Sequence, residues 1–249
     1  MERGVYINDK FISEEELISE IKKFFKENII KNHVKNTKKL KKISEFKINP
    51  FLSKYLANFL TGNTSSKSIA KSLVYPRVLG TSITTSFGTQ MQQFVNKVLG
   101  STGSLATGID IEFIDHIDKR KKYCQIKSGP TTINKDDVIT IANHFRNMKN
   151  LGRTNGISIA NTDCIVGVLY GDYDDLSQFY KELNHDYVVL AGQSFWYHLT
   201  GSEDFYDIMT DAIAEISDEY DGREILDYVI DNLATQIEKE VWFKTDSNN

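Results

Sequence analysis

The stretch TGIDIEFIDHIDKRKKYCQIKSGP, Thr107 to Pro130, decides how the rest of the chain is read. Ile109, Ile111 and Phe113 alternate with Asp110 and Glu112, the period of two that gives a strand one apolar and one acidic face. A polar turn, Asp115 to Lys122, leads to a second apolar run, Tyr123 to Lys127, in which Gln125 and Lys127 again share a face. Two such runs joined by a short polar connection predict a β-hairpin. On pairing, three or four polar groups converge on one sheet face. Burying unpaired acids there costs several kcal/mol. A divalent ion relieves that cost, because acid and amide oxygens are hard ligands for magnesium. A nearby lysine can orient or deprotonate a water, or neutralise charge developing on a phosphate. The plainer alternative is an edge strand in solvent, its acids paired with Lys119, Arg120 or Lys121.

Downstream of the hairpin, Asn134 is placed to cap a helix running to about Lys149, with Asp137 near its positive end. Two β-rich runs follow, Cys164 to Gly171 and Tyr187 to Gly192, and the chain from Gln193 onward reads as helical. Upstream, the hydroxyl-rich run RVLGTSITTSFGT reads as a loop, and it leads into a short helix marked by Met91, Phe94, Val95 and Val98 and ended by Gly100. Nearer the N-terminus, helical spacing predicts one helix over about Ser13 to Asn32, with Ser13 and Glu16 as a capping box, and another over about Pro50 to Leu60. The order of elements predicts an α/β fold: a mixed central sheet flanked by helices, with an N-terminal helical arm and C-terminal helices. The expected division is an arm or cap over 1–74 and a core over 75–249, together one compact unit.

The 249 residues are 40% hydrophobic and 26% charged, ordinary values for a folded chain with a real core. No apolar run approaches the roughly 18 to 20 residues that cross a bilayer, so a cytoplasmic protein with no membrane partner is expected. Cys124 and Cys164 lack ligand-spaced neighbours and read as buried small hydrophobes. His116, His144, His185 and His198 are scattered and read as surface or core residues. The net charge of −4 hides an asymmetry: Lys31, Lys35, Lys38, Lys39, Lys41, Lys42 and Lys47 crowd one early segment, whereas the C-terminal helices are acidic. A local lysine cluster can meet a polyanion whatever the total charge.

The spacing of Asp110 and QIK at 125–127 looks like the PD-(D/E)XK nuclease motif, and the order of elements is similar to the αβββαβ core of that superfamily. Three longer segments, YPRVLGTSITTSFGTQMQQF, QIKSGPTTINKDDV and GQSFWYHLTGSEDFY, resemble type II restriction endonucleases, particularly the group that cuts GGNCC-type sites. The likeness spans roughly Tyr75 to Tyr206. It implies a restriction-endonuclease-like fold and magnesium-dependent hydrolysis of double-stranded DNA at a short palindromic site, with one or two Mg2+ ions per active site. It also implies a homodimer and a cognate DNA methyltransferase in the same system. Carried over residue by residue, Asp110 is the first metal carboxylate and Lys127 the catalytic lysine. The chain departs from the pattern at Gln125, where the family places Glu or Asp, and Gln90, Gln92 or Gln93 sits where a further Glu is common. Glu112, about 7 Å from Asp110 along the same strand face, is the acid available to compensate. The expected site is therefore Asp110, Glu112 and Gln125 around the metal, with Lys127. The expected DNA contacts are Arg77, Ser82, Thr84, Thr85, Ser86, Ser128, Thr131, Asn134, Lys38, Lys39, Lys41 and Lys42. A catalytically degenerate DNA-binding protein and a nonspecific or repair nuclease are the alternatives.

Overall fold

A computed structural model describes residues 4–7, 10–104 and 106–244. Its contacts divide the described chain into two units: residues up to 24 with 88–215, and 25–87 with 216 onward.

The first unit holds the hairpin. It begins with an antiparallel pair, β1 (Gly4–Ile7) and β2 (Lys10–Ser13), followed by α1 (Glu14–Phe24). The Ser13 hydroxyl accepts from the backbone N–H of Glu16 at 3.2 Å, so the expected helix start is present.

Ahead of the unit's sheet, a helical turn at Arg77–Thr81 kinks at Gly80, and α5 (Ser82–Lys97) follows. The sheet has five strands, β3 (Thr102–Gly103), β4 (Ile111–Ile114), β5 (Lys121–Lys127), β6 (Cys164–Val168) and β7 (Val188–Ala191), in that spatial order. β3, β4 and β5 are antiparallel neighbours, while β5, β6 and β7 run parallel. The expected hairpin is therefore the antiparallel half of a mixed sheet, and β6 returns beside it across α6 (Lys135–Thr154).

α6 starts where its cap predicts. The Asn134 side chain accepts from the N–H groups of Asp136 and Asp137, and the Asp137 carboxylate accepts from the Asn134 N–H at 2.9 Å. Its inward stripe, Val138, Ile141, Phe145 and Met148, packs on Tyr123, Val166, Val168 and Val189. Fully burying one such side chain is worth about 1.5–3 kcal/mol, which fixes α6 over one sheet face. α7 (Gln178–Leu183) precedes β7, and α8 (Gln193–Thr200) follows it. On α8, Phe195 and Trp196 are fully buried, and Trp196 meets Phe94 at 6.4 Å and Phe205 at 5.3 Å. The Phe195 ring lies 2.3 Å from where a Cβ on Gly167 would stand, so only glycine in β6 admits that approach. Both cysteines are free and buried, as expected, and burial pushes both thiols up, Cys164 to about 11.

α9 (Phe205–Ser217) ends the first unit, and the second is helical: α2 (Lys31–Lys39), α3 (Pro50–Thr61), α4 (Ser66–Pro76), α10 (Arg223–Ile237) and α11 (Val241–Lys244). Ile69, Ala70 and Val74 of α4 and Val229, Ile230 and Leu233 of α10 form its core. Lys67 pairs with Asp231 at 2.7 Å, and the Gln236 amide donates to the Lys41 carbonyl at 2.6 Å. These contacts group the lysine-rich segment with the acidic C-terminal helices, a division different from the one at residue 74 drawn from the sequence. Opposite charges far apart in the chain offset one another here, and apolar stripes on both segments need each other for burial.

Two further differences stand out. α4 occupies a stretch for which no helix was expected, and the hydroxyl-rich run expected to be a loop is the first turns of α5. There the Thr84 hydroxyl donates back to the Gly80 carbonyl at 3.0 Å, so the side chain supports the helix it was expected to oppose. Among the described residues no helix is long and apolar enough to cross a membrane.

Candidate active site

The hairpin register sets the geometry. Ile111 pairs with Cys124 and Glu112 with Tyr123. The Asp110 N–H donates to the Cys124 carbonyl at 2.9 Å, so Asp110 and Ile111 both meet Cys124, as in a β-bulge just ahead of β4. Residues opposite one another project from the same face. Glu112, Gln125 and Lys127 therefore share the face that also carries Tyr123 and is covered by α6, and the Asp110 carboxylate reaches β5 at the Ile126 N–H.

Asp110 is half-buried. One carboxylate oxygen accepts the Ile126 N–H at 2.7 Å, which fixes the rotamer and leaves the other oxygen available. Burial raises its pKa above the usual carboxylate range, and the Ile126 N–H, Lys127 and His144 offset part of that rise. Gln125 is 4% exposed, a buried amide beside a partly dehydrated acid. Lys127 is half-buried at the end of β5, close enough for its charge to act on Asp110.

Glu112 stands opposite Tyr123, and both of its oxygens are engaged. Lys121 pairs with it at 2.7 Å, and the Ser104 hydroxyl donates to it at 2.7 Å. The pairing with Lys121 is the one weighed as an alternative for the acidic face, and it holds for Glu112 but not for Asp110.

His144 was read as an ordinary surface or core residue, yet it belongs to this group. Its Nδ1 lies 3.4 Å from the Gln125 amide nitrogen, and its ring covers Gly108. The signal was in the spacing: His144 falls three residues after Ile141 and four before Met148, on the inward stripe of α6.

Whether these donors suit a cation follows from their chemistry. Among the described residues no cluster of three or more His, Cys, Asp or Glu side chains could hold a metal, which argues against an all-protein cage. Magnesium needs none, since it keeps several waters and binds through one or two carboxylates plus substrate phosphates. One dehydrated carboxylate with a free oxygen, one buried amide and a lysine nearby fit that demand.

The residues expected to touch DNA are scattered over both units. Ser128 packs against Gly88, Thr131 is exposed, and the Asn134 carbonyl oxygen is committed to the cap of α6. In the other unit, Arg77 donates to the Glu45 carbonyl at 3.2 Å and lies over the Phe46 ring at 5.7 Å. Lys41 is held by the Tyr228 hydroxyl at 3.0 Å and Lys39 by Asn36 at 3.0 Å, while Lys38 and Lys42 are exposed. Thr85 is exposed, Ser86 is half-buried, and the side chain of Ser82 lies outside the described residues.

At the hairpin's far end the turn is exposed, but the two residues that flank it, Asp115 and Lys122, are buried in a charge cluster. Lys122, 3% exposed, pairs with Asp118 and lies 3.6 Å from Asp163 and 3.9 Å from Asp115, and Asp115 accepts from His198 at 2.8 Å.

The family model for Type II restriction endonuclease EcoO109I matches residues 19–221, more than half of the chain. The chain belongs to that family. The match runs through the hairpin, α6 and β6, so the row from Asp110 to Lys127 falls inside it. A search of curated proteins found no match. Membership makes this a type II restriction endonuclease of mixed α/β fold, with DNA as the family's substrate.

Proposed function

We propose that the chain is a magnesium-dependent type II restriction endonuclease that hydrolyses double-stranded DNA at a short palindromic, GGNCC-like site. It would work as a cytoplasmic homodimer beside a cognate methyltransferase. The observation that carries this reading is the Asp110 carboxylate held on the Ile126 N–H, between Gln125 and Lys127 of β5. Asp110 and Gln125 would hold the cation, one ion or two, with Glu112 adding negative charge from β4. Bound there, magnesium supplies an activated water and screens the non-bridging phosphate oxygens. Asp110, pinned by the Ile126 N–H, presents its second oxygen without reorganising. Lys127 orients the attacking water, shares its proton and offsets charge on the phosphate. Lys38, Lys39, Lys41, Lys42 and Arg77 supply phosphate contacts, and Ser82, Thr84, Thr85, Ser86, Ser128, Thr131 and Asn134 are the candidates for groove contacts.

A second reading, a DNA-binding protein with a degenerate site, is favoured by one observation: an amide stands at 125 where the family places an acid. Incubating the protein with plasmid DNA and magnesium separates the two. Discrete fragments are the expected result, a smear indicates nonspecific cutting, and a gel shift with intact plasmid indicates binding alone. Full activity in Glu112→Gln would remove Glu112 from the site.

The dimer has a candidate surface on α3. Phe51, Tyr55 and Phe59 are 91%, 62% and 79% exposed, and Leu52, Leu56 and Leu60 accompany them, while the small residues Ser53 and Ala57 face inward. A helix that turns its large apolar residues outward is covered by a partner. The stripe repeats FL, YL, FL every four residues, and its aromatic and leucine ridges can interlock with those of a second copy across a twofold axis. Its three aromatics offer roughly 400 Å² a side, about half of what a stable dimer buries. Phe59→Glu is expected to sediment as a monomer at micromolar concentration and to lose concerted cutting of both strands. An unchanged dimer would place the contact elsewhere.

A further inference from the structure

We propose that His144 is a positioning residue that sets which end of the Gln125 amide faces Asp110, and so lets an amide do the work of the missing acid. The proposal rests on the reading of Asp110 and Gln125 as cation ligands. A carboxylate presents oxygen whichever way it turns, whereas an amide presents oxygen one way and two N–H donors the other. Only the oxygen binds a cation. At 4% exposure, water has little part in orienting Gln125, so its neighbours decide.

His144 Nδ1 lies 3.4 Å from the amide nitrogen. With the ring proton on Nε2, Nδ1 accepts from the amide N–H and Oε1 turns the other way, available to a cation held by Asp110. The reverse orientation would set the amide oxygen against a lone pair. The ring's own position is built in. A Cβ on Gly108 would lie 2.2 Å from His144 Nδ1 and 2.3 Å from its Cγ, and Gly108 adopts φ +80°, a conformation glycine takes without strain. Gly108 thus seats the ring, the ring orients the amide, and the amide belongs to the residue next to Ile126, whose N–H holds the acid.

The test is Mn2+ binding followed by electron paramagnetic resonance, with no DNA present, on the intact protein at pH 8. Wild type is expected to bind and Asp110→Ala to lose binding. His144→Ala is expected to weaken binding about tenfold, within the range for residues that orient metal ligands. His144→Asn, whose amide oxygen can accept in place of Nδ1, is expected to restore most of it. In a Gln125→Glu background, where no orientation is needed, His144→Ala is expected to cost less than threefold. Equal losses in both backgrounds would reduce His144 to packing and overturn the proposal, as would wild-type binding in His144→Ala. Wild-type binding in Asp110→Ala, or none in the parent, would instead overturn the site reading beneath it.

Discussion

Asp110→Asn is expected to lower the plasmid-cleavage rate by at least about a hundredfold to a thousandfold, the range seen when one preorganised electrostatic group is removed, while leaving the metal-free protein at least as heat-stable as the parent. The two halves share one cause. Burial holds the Asp110 pKa above its ordinary value, so the folded protein binds that proton more tightly than the unfolded chain. A raised carboxylate pKa contributes favourably at pH values below the unfolded pKa. That contribution is lost as pH rises through the folded one, so at neutral pH the bare carboxylate is a cost. Asparagine removes the cost and keeps an oxygen to accept the Ile126 N–H. Stability given up where a charged ligand is needed is the usual stability–activity compromise. The same sign predicts that apparent Mg2+ affinity weakens as pH falls through the raised value, since protons and cation compete for one oxygen. Single-turnover cleavage and thermal melting from pH 5 to 8 check both. A large loss of melting temperature in Asp110→Asn would mean that the carboxylate is structural.

The hairpin was legible because its information is local. A period-two pattern from Ile109 to Phe113, a polar turn and a second apolar run specify pairing and face without any distant contact, and the Asn134 cap likewise needs only its next three residues. What was missed depends on partners far along the chain. Ser66 bonds Glu238 at 2.7 Å, and Ala70 and Val74 find their neighbours on α10, so α4 has no single-segment signature. The serine- and threonine-rich start of α5 was misread because hydroxyl side chains favour turns, except where they bond back to a carbonyl one turn earlier, as Thr84 does. His144 was passed over because histidines were sought as ligand pairs, whereas here one imidazole serves an amide on a neighbouring strand. Asp110, Gln125 and Lys127 could be named from spacing. Which of them have their charge or orientation managed by a neighbour could not.

Lys122→Met is expected to lower stability by about 3–5 kcal/mol, the cost of removing one partner from a buried ion pair. Lys122 ends the polar turn but is not solvated. Instead its ammonium donates to the Thr162 carbonyl at 3.1 Å, pairs with Asp118 and faces the buried carboxylates of Asp115 and Asp163. Arg120 also reaches Asp163, at 2.5 Å, and His198 reaches Asp115, but the Asp163 Oδ1 atom has no hydrogen-bond partner among the described residues and depends on the charge of Lys122. Methionine matches the length of lysine and not its charge, so the loss measures electrostatics rather than a cavity. Asp115 and Lys122 close the end of the two strands that carry Asp110, Gln125 and Lys127, so disorder there would reach the site through the register. Urea unfolding followed by the fluorescence of Trp196, buried on α8 in the same unit, reads the loss directly. Adding Asp163→Asn to Lys122→Met is expected to recover part of it, because the orphaned carboxylate is then gone. A double variant no better than the single one would show that Lys122 acts through its contacts to Asp118 and Thr162 instead.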